Sequence, residues 1–251
     1  MADISLGIPV FNSARFLDEL FANLCDLDPL PAEILFLDDA SEDDSAARID
    51  RFVAAHGGAL RARLLRNGRN GGIAAAYNRL AREACGEFVQ LLDADDLLAD
   101  NDFYARVRPA LRDDTDLVVT ALRSNAHLLD VCSRMASAIV PRRPPAWWPL
   151  LGSFATRAGV LYRRARLLEL PFPEPVWPGS DVIHLLRLRS EGKCVFLAAP
   201  RVFYRVHGDA QSSRQRDYGA YRRALAEFNP PTRLMHRLDL GLRTAGQRWM
   251  R

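Results

Sequence analysis

Four short apolar runs separated by amphipathic segments fill the first hundred residues, and this alternation most constrains the fold. Ile4, Leu6, Ile8 and Val10 alternate with Ser5, Gly7 and Pro9, the period-two pattern of a strand. Ser13 is suited to cap a following helix, in which Leu17, Leu20, Phe21 and Leu24 share one face. Ile34-Leu35-Phe36-Leu37 is a second strand ending in Asp38-Asp39. A helix over residues 44–55 follows, closed by Gly57-Gly58, and residues 61–65 form a third strand. Gly71-Gly72 leads into a helix with Ile73, Ala76, Tyr77 and Leu80 on one side, and residues 87–92 are a fourth strand. Strand–helix repeats at this spacing imply an α/β fold: a mainly parallel mixed sheet with helices on both faces.

Such sheets bind ligands at the carboxyl ends of their strands. Three strand ends here carry polar clusters: Pro9-Val10-Phe11-Asn12, Asp38-Asp39-Ala40-Ser41 and Asp93-Ala94-Asp95-Asp96. The third puts three carboxylates into four positions directly behind a buried strand, where they repel one another unless something cationic offsets them. A divalent ion with a bound diphosphate is one answer, because Mg²⁺ and Mn²⁺ prefer carboxylate and phosphate oxygen. A solvated acidic turn is the other, and for the cluster taken alone it is the simpler one.

The second half is less regular. Residues 117–120, 195–197 and 202–206 read as strands, and residues 181–192 as a helix. The proline-rich segment 141–149, with Trp147-Trp148, reads as a loop that either stacks on a sugar or lipid or simply packs. No repeat or clean linker divides the chain. One domain over residues 1–213 is expected, followed by a basic helical extension over 214–251. Across 251 residues, 49% are hydrophobic and 26% charged, and no run approaches the ~20 apolar residues of a membrane helix. The start lacks the pattern of a secretory signal, and four scattered cysteines form no CxxC pair, so a cytoplasmic protein without a zinc site or disulfide framework is expected. Charge is uneven: residues 1–100 hold nine basic and 18 acidic side chains, residues 201–251 hold 11 arginines against four acids. The basic tail suits an anionic surface such as the inner face of a membrane, and equally a tail packed on its own domain.

The motifs taken in order resemble the family 2 glycosyltransferases of the GT-A fold, a Rossmann-like architecture. The matching pieces are IPVFN at 8–12, LDDASEDDS at 37–45, NGRNGGIAAAYN at 67–78, LLDADDLL at 91–98, GSD at 179–181 and YRVHGDAQSS at 204–213. The resemblance implies a nucleotide-sugar donor, a divalent metal (Mn²⁺ or Mg²⁺) and sugar transfer with inversion, in the synthesis of a bacterial surface polysaccharide, lipopolysaccharide or glycosylated metabolite. It implies that Pro9, Val10 and Phe11 border the base and ribose, with backbone groups giving hydrogen bonds, and that Asp39 accepts a hydrogen bond from a uracil or thymine imide, pointing to UDP or dTDP. Asp38 joins that site or caps the next helix. Asn70, Gly71 and Asn78 are implied at the donor, with Asp93 and Ala94 near the ribose. Asp95 is the implied metal ligand, His207 a second metal or diphosphate contact, and Asp96 a structural residue. Gln211, Ser212 and Ser213 fit a loop closing over the donor. Asp181 matches the family's general base.

The family often has Arg before the residue equivalent to Asn78, where this chain has Tyr77. That leaves a phosphate contact to another arginine, such as Arg69 or Arg79. The implied partners are the donor, an acceptor that is a carbohydrate, a lipid-linked or a small molecule, a membrane surface met by the tail, and a second copy of the chain in a homodimer. Nucleic acid is not among them. Two alternatives are a nucleotidyltransferase, which would show a Gly- and Arg-rich loop after the first strand, and a nucleotide-sugar-binding module without transfer. A dinucleotide-dependent dehydrogenase is excluded by the lack of GxGxxG after that strand.

Overall fold

The order of strands in the sheet explains where the site lies. The computed structural model describes residues 2–126, 157–174, 180–208 and 219–227. Its elements run β1 (Ile4–Val10), α1 (Ala14–Cys25), β2 (Glu33–Asp38), α2 (Ser45–Leu60), β3 (Ala62–Arg66), α3 (Ile73–Glu83) and β4 (Phe88–Leu91). They continue with β5 (Leu97–Leu98), α4 (Phe103–Val107), β6 (Leu117–Ser124), β7 (Val160–Arg163), α5 (Arg164–Glu169), α6 (Ser180–Glu191), β8 (Cys194–Tyr204) and α7 (Gly219–Ala224). All eight strands form one mixed sheet in the order β3-β2-β1-β4-β7-β6-β8-β5. Strands β1, β2, β3 and β4 are mutually parallel, as are β6 and β8, while β7 is antiparallel to both β4 and β6.

Alternation along the strands divides the core into two layers. On one face Ile4, Leu6, Ile8, Val10, Ile34 and Phe36 pack with Leu17, Leu20 and Leu24 of α1 and with Ile49 and Phe52 of α2. On the other, Leu35, Leu37, Val89 and Leu91 pack with Ala74, Tyr77 and Leu80 of α3, Leu167 of α5 and Leu188 of α6. Each fully buried leucine stabilises the fold by about 1.5–3 kcal/mol. Helices therefore cover both faces, as the alternation demands.

Three local readings are corrected. Helix α2 does not stop at Gly57-Gly58 but continues to Leu60 and ends on Arg61, which takes the left-handed conformation at φ 49°. Gly57 is buried inside the helix, and a Cβ there would meet the Ala62 carbonyl and Val53 at 3.0 Å, a tight fit where α2 lies against the start of β3. The two segments at 195–197 and 202–206 belong to one strand, β8, which pairs with β6 along its length. Its register jumps from Thr120↔Leu197 to Ala121↔Arg201, so a bulge absorbs residues 198–200 and Pro200 does not end the strand. Finally, Ser13 precedes α1 but makes no side-chain capping bond.

Helix α1 is capped instead from the loop that leads into α2. Asp43 Oδ2 accepts the Ala14 N–H at 3.1 Å, its Oδ1 accepts the Ser45 N–H at 2.9 Å, and the Ser45 hydroxyl accepts the Ser13 N–H at 2.9 Å. Burial works against the Asp43 charge, but hydrogen bonds from the Ser45 hydroxyl and amide and the Ala14 amide outweigh it and hold the carboxyl below its ordinary value. A lowered folded value stabilises above the ordinary carboxylate range and is lost as pH falls through it. Asp43→Ala is expected to cost about 1 kcal/mol at neutral pH in denaturant unfolding, and less in strong acid. An equal loss at both pH values would contradict the charged cap.

No helix among the described residues is long and apolar enough to cross a membrane. Trp147-Trp148, Gln211, Ser212, Ser213 and most of the basic extension lie outside the described residues.

Candidate functional site

The carboxyl ends of β1, β2 and β4 are neighbours in the sheet, so the three polar clusters converge. Asn12 follows β1 with φ 50°; its amide donates to the Ser41 hydroxyl at 3.0 Å, and its side-chain oxygen accepts the Glu42 N–H at 2.8 Å. The Asp39 N–H donates to the Val10 carbonyl at 2.8 Å. Pro9 and Val10 are buried at the end of β1. Phe11, 44% exposed, is the large aromatic that this edge presents to solvent.

Asp38 and Asp39 are both buried at the end of β2. The Asp38 carboxylate accepts the Ser41 N–H at 3.3 Å, closing a turn and not capping α2. Asp39 shapes the glycine segment: it accepts the Gly71 N–H at 3.0 Å, the Gly72 N–H at 2.9 Å and the Asn67 side-chain amide at 2.5 Å. Asn70 adds a short turn, its side-chain oxygen accepting the Gly72 N–H at 2.8 Å. Gly72, at φ 82°, opens α3 in a conformation that side chains disfavour. A carboxylate offers about four lone-pair sites, so the three donors on Asp39 leave it able to receive one more.

Asp93, Asp95 and Asp96 each offer a carboxylate oxygen, and these atoms lie within 4.8 Å of one another. The Asp96 N–H donates to the Asp93 carbonyl at 3.0 Å, so a tight turn packs them together, with Ala94 buried inside it. Each acid is held differently. The Tyr77 hydroxyl donates to Asp93 Oδ1. His207 Nε2 lies 2.9 Å from Asp95 Oδ2. Asp96, 1% exposed, accepts the Arg205 N–H at 3.0 Å. Arg205 also donates through Nε to the Asp95 carbonyl at 2.9 Å and through Nη2 to Glu19 at 2.6 Å. Asn125 grips both backbone groups of Val206, at 2.8 and 2.9 Å, and so fixes the segment carrying His207. An all-oxygen set of this kind fits a hard divalent cation such as Mg²⁺ or Mn²⁺, with Asp95 and Asp93 the half-exposed members.

Asn78 lies on the buried side of α3. It is buried, its amide donates to the Phe172 carbonyl at 3.0 Å and to Glu174 at 2.8 Å, and its oxygen accepts the Phe172 N–H at 2.8 Å. Its side chain thus brackets residues 172–174 against α3. The expected substitutes for the missing arginine fare differently. Arg79 donates to the Arg66 carbonyl at 2.8 Å and to Asn67, and so serves the loop, while Arg69 is exposed on it.

Asp181 is half-buried in the first turn of α6. A series of rings links that turn to the acid cluster. Tyr77, whose hydroxyl is on Asp93, packs on Phe172 with centroids 5.1 Å apart, and Phe172 packs on His184 at 4.0 Å, one turn along from Asp181. Sequence reasoning missed Arg205 and Asn125 as supports of the site, although Arg205 stands inside the YRVH motif that pointed to His207.

This sheet order belongs to the GT-A glycosyltransferase class of α/β folds. A profile of the Glycosyl transferase family 2 matches residues 5–168, and the chain belongs to that family. A mannosyltransferase from Pyrobaculum calidifontis, in complex with GDP-Man and Mn²⁺, superposes with a TM-score of 0.68 at 19% identity, over 99% of this chain and 73% of that one. TarS from S. aureus, in complex with UDP-GlcNAc, superposes at 0.67 with 18% identity, over 89% of this chain and 64% of that one. Among curated relatives, the glycosyltransferase GlyG of Streptococcus pneumoniae is 28% identical over 46% of this chain and 38% of its own. An undecaprenyl-phosphate 4-deoxy-4-formamido-L-arabinose transferase of Sodalis glossinidius is 33% identical over 55% of this chain and 43% of its own. The chain thus spans about two fifths of the length of each of these two relatives.

Proposed function

We propose that this chain moves a sugar from a nucleoside-diphosphate sugar to an acceptor hydroxyl, with inversion at the anomeric carbon. The observation that carries the reading is the packing of three carboxylates within 4.8 Å at the end of β4, inside a family 2 chain. Asp95 and Asp93 would hold the divalent ion, with His207 steadying Asp95. When bound, that ion supplies charge stabilisation to the departing nucleoside diphosphate. Phe11 offers its exposed ring to the base, and Asp39 accepts the base N–H while its other bonds keep the glycine segment in place. Asp181 takes the proton of the acceptor hydroxyl as that oxygen bonds to the anomeric carbon. The bond from that carbon to the phosphate oxygen breaks on the opposite face. The undecaprenyl phosphate in one relative's name supports a lipid-linked acceptor, beside carbohydrate and small-molecule acceptors.

A donor binds the folded chain and not the unfolded one, so it raises the melting temperature. A thermal-shift screen of UDP-, dTDP- and GDP-sugars with Mn²⁺ should give a clear rise for one nucleotide class and little without the ion. No rise for any of them would overturn the reading.

A further inference from the structure

A nucleoside diphosphate brings up to three negative charges to a site already holding three carboxylates, so charge balance calls for a cationic group beside a single divalent ion. Tyr77, where the family often has Arg, is buried with its hydroxyl on Asp93 and brings no cation. Arg79 reaches the Arg66 carbonyl and Asn67 beside the glycine segment, and Arg205 reaches the Asp95 carbonyl and Glu19. Arg15 is placed differently. It stands exposed in the first turn of α1, its guanidinium carbon 4.5 Å above the Phe16 ring. Its Nη2 lies 3.4 Å from His207 Nδ1, and the other nitrogen of that ring lies 2.9 Å from Asp95 Oδ2. The Phe16 ring also packs on His207, with centroids 5.0 Å apart. One imidazole therefore separates the Arg15 cation from the acid cluster. A guanidinium's five N–H donors let it hold an imidazole edge and a phosphate oxygen together, and its planar fork matches phosphate geometry.

We propose that Arg15 is the protein cation that contacts the diphosphate of the donor and of the departing nucleoside diphosphate. The proposal rests on the nucleotide-sugar reading above and adds to it a residue on α1, outside the acid cluster itself. A contact to the second phosphate makes a specific demand: losing it weakens a nucleoside diphosphate and spares the monophosphate.

The test compares dissociation constants of UDP with UMP, and of GDP with GMP, by calorimetry with Mn²⁺. It uses the wild-type chain and the Arg15→Met, Arg15→Lys and Arg69→Met variants. For whichever diphosphate the wild type binds, Arg15→Met should weaken it about tenfold while the monophosphate changes by less than about twofold. Arg15→Lys should recover part of the loss, and Arg69→Met should leave the diphosphate-to-monophosphate ratio unchanged. A ratio unaltered in Arg15→Met overturns the Arg15 assignment alone. So does an equal weakening of both nucleotides, the mark of a merely structural residue, or a ratio that collapses in Arg69→Met. Wild-type protein that binds neither diphosphate overturns the nucleotide-sugar reading and this assignment with it.

Discussion

Exchanging Asp181 for asparagine should reduce sugar transfer by about 10²–10⁴-fold, the range general-base catalysis contributes. Asparagine keeps the size and hydrogen-bonding ends of the side chain but cannot take up a proton near neutral pH. Donor affinity should stay within about twofold, because the lost interaction develops as the acceptor is deprotonated and not in the ground state. The competing role for an acid in the first turn of α6 is to favour the helix dipole, worth roughly 0.3–1 kcal/mol of stability. The two roles separate cleanly. Initial rates at saturating donor, set beside the melting temperature, show a base as a rate collapse with a nearly unchanged melt. A fully active Asp181→Asn variant would leave only the dipole role.

Asp95→Ala is expected to act at an earlier step. Asp95 is at once a member of the carboxylate cluster and the partner of His207, so on the proposed reading its removal takes away a ligand oxygen and parts the imidazole from that carboxylate. Charge stabilisation by a bound ion amounts to several kcal/mol in the transition state, and each 1.36 kcal/mol is a factor of ten. Transfer should therefore fall by about 10²–10³-fold, and raising Mn²⁺ should recover part of it if weakened ion binding is the cause. Asp96 gives a contrast: its carboxylate is buried and receives the Arg205 amide, so Asp96→Ala should lower the melting temperature as well as the rate. Equal melting and rate losses in both variants would argue that Asp95 is structural too.

The strand–helix alternation of the first hundred residues was readable because it depends on local periodicity. The strand–helix repeats already implied two covered faces, and the structure puts Ile34 and Phe36 under one and Leu35 and Leu37 under the other. What local pattern could not supply were contacts between residues far apart in the chain. The cap of α1 comes from Asp43, 29 residues on, so Ser13 was the wrong candidate despite its suitable side chain. Asn78 reads as part of a donor motif, yet its amide binds the Phe172 backbone, 94 residues away. Strand β7 is only four residues long, too short for periodicity to distinguish it, though it bridges the two halves of the sheet. Gly57 reads as a helix stop because glycine frees the backbone, whereas here the absence of a Cβ lets α2 lie against β3. The acid cluster was visible from the start. Its neighbours Tyr77, His207 and Arg205 turn it from an acidic turn into an organised site.

The most direct measurement of the central claim is the electron paramagnetic resonance signal of free Mn²⁺, titrated with the wild-type chain and with Asp95→Ala in the presence of the nucleoside diphosphate it binds. The wild type should remove the free-ion signal to one ion per chain, and the variant should leave most of it. Mn²⁺ that stays free beside the wild type, or that the variant takes up just as well, would contradict a metal–diphosphate site at Asp95.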